Sequence, residues 1–270
     1  MKTDRGRREG GDGSTCVHRI GERLRATVGD VRVADVRIGL GYTGVALEDG
    51  RAGLAYTFRD LAKGGCSVFH GKRPLAGRAA ADLLSLLDSA DAIEAAVGLA
   101  CANALANTNE VESVEGDVLD LIDLRSDDDV AMVGYFGPLV EPLRKRVGSL
   151  TIYEREGTTS PAASSVRETN DGLARSSIAL ITSTSFVNGT VDALLEAARG
   201  CREVVLLGAS TPLLAEVLGS AGATMLSGVV VHDAAAVLRV VSEGGGTRQF
   251  GPYMRKVGVR ASTSLAGAGR

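Results

Sequence analysis

A chain of 270 residues has room for one large or two ordinary hydrophobic cores, and its formal net charge of −3 supplies no basic surface for nucleic acid. Only 4% of the residues are aromatic and none is Trp, so the apolar 44% must build its core from Ala, Val and Leu. No apolar run reaches the roughly 18 residues of a membrane span and no apolar signal region opens the chain, so a cytoplasmic protein of two domains is expected.

Residues 1–15 are polar and glycine-rich, with Arg5, Arg7 and Arg8 opposed by Asp4 and Glu9. They cannot bury enough apolar surface to offset the entropy of ordering and are expected to form a disordered arm. From Cys16, the residues Val17, Ile20, Leu24 and Val28 recur at helical spacing and predict a helix that ends near Gly29. Val36, Ile38 and Leu40 then alternate with Arg37 and Gly39, a second run follows from Tyr42 to Leu47, and Leu54 to Phe58 returns after the Asp49-Gly50 turn signal. That pattern is an antiparallel sheet. Leu83, Leu84, Leu86 and Leu87 predict one helix and Ile93 to Leu105 a longer, Ala-rich one, so residues 16–110 read as a compact α+β domain. Asn103 and Asn107 share a face of the last helix, where a mediocre helix former needs a reason. C-terminal capping accounts for Asn107. Asn103 lies a turn too early for that and is read as a ligand-facing amide.

Residues 111–129 are acidic, carry only the short apolar piece Val118 to Leu124, and read as the connection between domains. Strand and helix patterns alternate from there on. Strands are predicted at Val130–Val133, Leu150–Tyr153, Ile178–Ile181, Val204–Leu207 and Ala223–Leu226, with helices at Val191–Ala198, Leu213–Leu218 and Ala234–Val241. Strands spaced by helices of this length indicate a parallel sheet with right-handed crossovers, so residues 130–256 read as a Rossmann-like domain. Residues 257–270 turn basic, then small and polar, and are expected to be a disordered tail.

The stretch Gly134-Tyr135-Phe136-Gly137-Pro138 lies between a predicted strand and a predicted helix, and Glu154 ends the next strand twenty residues after Gly134. An acid at that spacing accepts hydrogen bonds from ribose hydroxyls in nucleotide-binding α/β units. Phe136 stands where the dinucleotide fingerprint has its middle glycine, which would crowd a pyrophosphate. The turn therefore suits an adenosine-type ligand without a diphosphate, such as S-adenosylmethionine, or a small anion. The competing reading is that Gly134 and Gly137 only permit close strand–helix packing and that Glu154 is an exposed strand end.

Ligands of open α/β sheets bind outside the carboxyl ends of the strands, and here those ends are polar and small. They comprise Thr182-Ser183-Thr184-Ser185, Asn188-Gly189-Thr190, Gly208 to Pro212, and Asp233. Capping alone would explain Asn188, Thr190, Ser210, Thr211 and Asp233, but it does not require them to share an edge with Gly134 and Glu154. Gly134, Tyr135, Phe136, Gly137, Glu154, Thr182 and Ser183 are thus the candidate cofactor-binding residues. Asn103, Asn188, Ser210, Thr211 and Asp233 are the candidates for binding substrate. No Ser-His-Asp order, H-E-x-x-H or P-loop lysine occurs, which disfavours familiar hydrolytic and phosphoryl-transfer chemistry, and no catalytic acid or base stands out. Cys16, Cys66, Cys101 and Cys201 lie far apart and read as reduced thiols, and the one close pair of soft ligands, Cys66 and His70, is weak as a metal signal.

Ile181 to Thr190 (I-T-S-T-S-F-V-N-G-T), Leu206 to Leu213 (L-L-G-A-S-T-P-L), Ser227 to Asp233 (S-G-V-V-V-H-D), Gly244 to Gly246 and Gly98 to Leu105 (G-L-A-C-A-N-A-L) together resemble a bacterial and archaeal family labelled "putative heavy-metal chelation". The resemblance covers roughly residues 16 to 250. Ala209 replaces a proline typical of the family and leaves the helix start intact. The resemblance implies an enolase-N-terminal-like α+β domain joined to a Rossmann-like domain. It also implies a ligand site in the cleft between them, to which Asn103 contributes from the first domain, and a metal or metal-chelate ligand.

Residues and resemblance lead to two expectations. The first is a small-molecule enzyme binding S-adenosylmethionine in the interdomain cleft for transfer or cyclisation chemistry. The alternative is a binding protein for a heavy metal or metal chelate, held through hydroxyls and amides that grip the organic chelator. Either way the partner is a small molecule and not nucleic acid or a membrane, and the low charge and Ala-rich helix are compatible with a homodimer.

Overall fold

In the computed structural model, residues 14–61, 67–155 and 163–261 are described. The expected arm and the last nine residues of the expected tail, like Cys66, lie almost wholly outside them. Thr15 opens the first helix, its hydroxyl accepting from the His18 N–H, and α1 (Cys16–Arg25) buries Cys16, Ile20 and Leu24. The helix stops at Arg25, short of Gly29, whose φ of 58° belongs to the turn beyond. A three-stranded antiparallel meander follows, made of β1 (Val33–Ile38), β2 (Tyr42–Leu47) and β3 (Ala52–Tyr56). The Asp-Gly turn joins β2 to β3 as predicted, closed by Leu47 N–H on the Arg51 carbonyl at 2.8 Å. The four-leucine helix is shorter than its pattern: α2 spans Ala80–Leu84, and Leu86 and Leu87 are buried in the turns after it. Asp91 then caps α3 (Ala92–Ala106) with bonds from the N–H groups of Ile93 and Glu94.

Alanine and glycine let α3 lie directly on the sheet. Ala96, Ala100, Ala102 and Ala104 are fully buried, and a Cβ on Gly53 would overlap the Ala104 N–H and the Ala100 carbonyl. Only a residue without a side chain admits that approach of helix to strand.

The second unit starts earlier and ends later than its sequence pattern. Residues 111–129 are not a bare connection, since they hold β4 (Val114–Glu115) and α4 (Val118–Leu121). Then come β5 (Asp129–Val133), α5 (Gly137–Arg144), β6 (Ser149–Arg155), β7 (Ala163–Ser164), α6 (Val166–Arg175) and β8 (Ile178–Thr182). After these the chain makes α7 (Val191–Ala197), β9 (Glu203–Leu207), α8 (Ala215–Gly219), β10 (Met225–Val231), α9 (Ala234–Ser242), α10 (Thr247–Phe250) and β11 (Met254–Arg260). They form one eight-stranded sheet in the order β4-β11-β10-β9-β8-β5-β6-β7. The core β6-β5-β8-β9-β10 is parallel and doubly wound, as the alternating pattern predicts, while β11 runs antiparallel to β10 and β4 antiparallel to β11. The predicted tail therefore begins inside a strand. Val257 and Val259 are buried, and Arg260 closes the strand with bonds of 2.7 and 2.9 Å to Glu203, so the exposed Lys256 and Arg260 take positions that alternate with the buried valines.

Strand alternation sorts the core into two faces. Val130, Met132, Ile178, Leu180, Val205 and Leu207 pack with α4 and α5. Ala131, Ala179, Ile181, Val204 and Leu206 pack on the other side, in one continuous cluster with α6, α7, α8 and the N-terminal unit. The small sheet is also covered on its second side, because α9 reaches back over β1 and β2, where a Cβ on Gly44 would stand 2.6 Å from Leu238.

Two outcomes follow from this packing. Gly53→Ala drives a methyl into helix backbone and should cost about 1–3 kcal/mol or more, read as a lower denaturant midpoint in chemical unfolding. Asp128, only 4% exposed at the start of β5, is pushed up by burial, but the Arg125 N–H, a two-pronged Arg202 at 2.8 and 2.9 Å and the Ser177 hydroxyl outweigh that and hold it below the usual carboxylate range. Its stabilisation is present above the unfolded-state pKa of about 3.9 and is lost as pH falls through the lower folded value. Asp128→Asn should cost on the order of 3 kcal/mol at neutral pH and flatten the fall in stability below about pH 4, measured by urea unfolding across pH.

Candidate functional site

The strand order reverses at β5, with β6 on one side and β8 on the other, which makes the carboxyl ends of these strands the crevice where open α/β sheets take ligands. Gly134 leaves β5 at φ 90° and donates to the Tyr153 carbonyl at 2.8 Å. A Cβ there would stand 2.8 Å from the Thr182 Cβ, so the glycine is required both by its backbone angle and by its neighbour. Thr182 in turn lies 3.1 Å from the Thr184 hydroxyl. Phe136 occupies the cap position of α5, and its ring reaches across to Gly208 after β9, 4.0 Å from where a Cβ would be. Tyr135, at the tip of the turn, is 63% exposed, and Gly137 lies against its ring. The structure thus brings Gly134, Tyr135, Phe136, Gly137 and Thr182 to one edge.

The hydroxyls and amides expected to bind cofactor or substrate are turned inward. Ser183, Ser210, Thr211 and Asn103 are all buried, as is the helix-capping Asn107. The Thr211 hydroxyl lies 2.7 Å from Ser183 Oγ and 2.8 and 3.0 Å from the carbonyls of Gly208 and Ser227. Ser210 Oγ accepts from the Tyr56 N–H of β3 at 2.9 Å. Asn107 occupies the C-cap position of α3, as expected, but its side chain crosses the seam between the two units: Nδ2 donates to the carbonyls of Thr211 and Val229 at 2.9 and 3.2 Å, and Oδ1 accepts from the Leu213 N–H at 2.8 Å. Asn103 donates to the Leu54 carbonyl at 2.7 Å, and its own buried Oδ1 has no hydrogen-bond partner among the described residues.

Glu154 and Arg155 end β6 on opposite faces. Ile152 packs with the α5 cluster and Tyr153 beneath α6, where a Cβ on Gly172 would overlap its hydroxyl, so alternation sends Glu154 to the α5 side and Arg155 to the side of the N-terminal unit. The Glu154 carboxylate makes no hydrogen bond or ion pair with any described residue, whereas Arg155 pairs with Asp60 in the short 3₁₀ turn after β3. Its guanidinium also lies 5.4 Å from the centre of the Phe58 ring. The hydrogen bond from Arg155 holds the Asp60 carboxyl below its ordinary value. Phe58 continues a ladder of edge-to-face rings through Tyr56, Tyr42 and Phe250, within which burial pushes the Tyr42 phenol up to about 12. Asn188 stands apart from this edge, on a cleft of about 390 Å³ shared with Phe186, Val187 and Leu87, and its Oδ1 is taken by Thr190. Asp233 is exposed and caps α9 through the Ala236 N–H.

These donors do not fit a bare soft metal. Among the described residues no three His, Cys, Asp or Glu side chains lie close enough to hold an ion. Burial pushes Cys101 up to about 12 and Cys201 up to about 11, and it raises Cys16 further with the help of Asp192, so these thiols stay protonated at neutral pH. Arg155 was not among the expected site residues, and Asn107 was expected only to cap its helix. The signals available were an arginine directly after a strand-end acid and an asparagine on a helix of alanines.

Two sequence families, both described as "putative heavy-metal chelation", match this chain, one over residues 21–106 and the other over residues 117–260, which divide as the two units do. A protein of unknown function from Pyrococcus horikoshii, of the DUF364 family, superposes with a TM-score of 0.79 at 22% identity, covering 91% of this chain and 100% of its own. A second, from Desulfitobacterium hafniense, superposes with a TM-score of 0.77, also at 22% identity, over 90% of this chain and 98% of its own. At that identity they establish the fold. No curated protein matches the chain.

Asn107→Ala should leave the Leu213 N–H and two carbonyls unpaired in the seam and cost on the order of 3 kcal/mol in urea unfolding. Hydrogen exchange at Leu213 should accelerate in the folded variant, as a local readout of the same loss.

Proposed function

Since the chain belongs to the family described as "putative heavy-metal chelation", we propose that it binds a metal in chelated form at the carboxyl edge of the large sheet, gripping the organic chelator and leaving the ion itself to that chelator. The observation that carries this reading is the mismatch between the described donors and a naked ion. Protonated, buried thiols and the lack of any three-ligand cluster among the described residues argue against direct ligation. The edge offers instead the half-buried hydroxyls of Thr182 and Thr184, the exposed Tyr135 and the Arg155 guanidinium, groups that recognise a polar organic molecule. Asn103, with its unpaired buried oxygen, supports the seam behind that edge, and Ser183, Ser210 and Thr211 position the strand-end loops by fixing their backbones.

A second reading keeps S-adenosylmethionine. It draws on the free carboxylate of Glu154 at the end of the strand after the glycine turn, where a ribose would be held. Of the two, the chelate reading has the family description behind it, and the adenosyl reading rests on that one side chain and the turn.

Thermal-shift titration of the full chain separates them. With copper(II) as the metal, its EDTA and bis(glycinate) complexes should raise the melting temperature, while the copper(II) salt alone and the free chelators should raise it less. Ligand at a hundred times its Kd adds about 2.7 kcal/mol of stability. An equal or larger stabilisation by the simple salt would overturn the chelate reading. A stabilisation by S-adenosylmethionine that Glu154→Ala weakens by about 1–3 kcal/mol would establish the second reading in its place.

A further inference from the structure

Arg155 is held in a way that suits exchange. Arg155 extends from the end of β6 with its guanidinium over the Phe58 ring at 5.4 Å, and its only anionic partner among the described residues is Asp60, across 95 positions of sequence. The pair is open to solvent, Arg155 at 38% and Asp60 at 54% exposure, so it contributes little to stability. It follows closely on the contact with the glycine turn: Val133 pairs with Tyr153, whose carbonyl accepts from the Gly134 N–H, and Arg155 lies two residues further along β6. A planar guanidinium in this position offers two parallel donors to a carboxylate and stays in place when its internal partner leaves, since ring and strand still hold it.

We propose that Arg155 is the recognition cation of the site, that the ligand is accordingly an anionic, carboxylate-bearing chelate, and that Asp60 occupies the guanidinium until the ligand's carboxylate takes its place. This rests on the chelate reading and adds the charge class of the ligand. It distinguishes the two faces at the end of β6: Arg155 faces the N-terminal unit, and Glu154 faces the α5 side and takes no part. Phe58 contributes by keeping the guanidinium plane fixed, and Asp60 by competing for it.

Calorimetric titration of the full chain with two complexes of one metal tests the assignment: copper(II)–EDTA, a dianion, and copper(II) bis(glycinate), which is neutral. Arg155→Gln should weaken the dianion about tenfold or more and leave the neutral complex within about twofold. Arg155→Lys should recover part of the loss. Asp60→Asn should tighten the dianion several-fold, an outcome that a purely structural ion pair would not produce. If wild type binds the dianion and Arg155→Gln binds it equally well, the assignment of Arg155 fails while the chelate reading stands. Should neither complex bind wild type, the chelate reading fails, and metal-free citrate then decides on Arg155 separately. Citrate stabilisation that Asp60→Asn enhances and Arg155→Gln abolishes upholds the anion site, and no citrate stabilisation of any variant overturns it.

Discussion

One carboxamide makes two folding units into one molecule. Asn107 is buried at the end of α3 and satisfies two carbonyls and one N–H on the far side of the seam, all in the loop after β9 or in β10. Buried backbone groups of an irregular loop would otherwise have no partner, and the cost of leaving them so is what gives the seam its specificity. The Ser210 hydroxyl repeats the device in the opposite direction by accepting from β3. Around these polar bonds the packing is apolar and shared: the buried cluster that begins in α1 runs without a break into β8, β9 and α8. The carboxyl edge of the sheet is therefore bounded by a wall that belongs to the other unit, and the positions of Phe58 and Asp60 over Arg155 depend on that wall being fixed.

What the sequence reveals of this arrangement depends on range. The parallel core was legible because each strand is a run of Val, Ile and Leu punctuated by a glycine or hydroxyl and followed by a helical period, all of it local. The glycine turn after β5 was legible for the same reason, and Gly134 proves to need both its positive φ and the closeness of Thr182. By contrast β4 and β11 were not, since a two-residue edge strand has no pattern and the valines of β11 are flanked by basic residues that look like a solvated tail. Polar residues were misread in one consistent way. Ser183, Ser210 and Thr211 lie at strand ends, as expected, but their hydroxyls are used up within the protein, and only the folded arrangement shows which partner each has found. Arg155 carried only the signal of following a strand-end acid, because its meaning comes from Phe58 and Asp60, which lie almost a hundred residues away.

The thiols bear on the family's description. Direct chelation of a heavy metal calls for exposed cysteines, yet the described ones are set into the packing: Cys101 lies under α2 with its Sγ 3.6 Å from the Ala80 carbonyl, and Cys16 begins α1. A neutral, buried thiol behaves as a small apolar side chain, and these fill space in an alanine-rich core where a larger residue would not fit.

The small sheet lies between α3, which follows it closely in sequence, and α9, which is made near the other end of the chain. Arg37 of β1 and Ser242 of α9 are hydrogen-bonded and 205 positions apart. During synthesis the N-terminal unit therefore emerges with one side of its sheet uncovered, and the helix that will cover it follows about two hundred residues after β1. Gly39 and Gly44, shaped to receive α9, would be exposed throughout that interval. The first half of the chain is thus not a finished domain waiting for a second, and its maturation waits for α9 to be made.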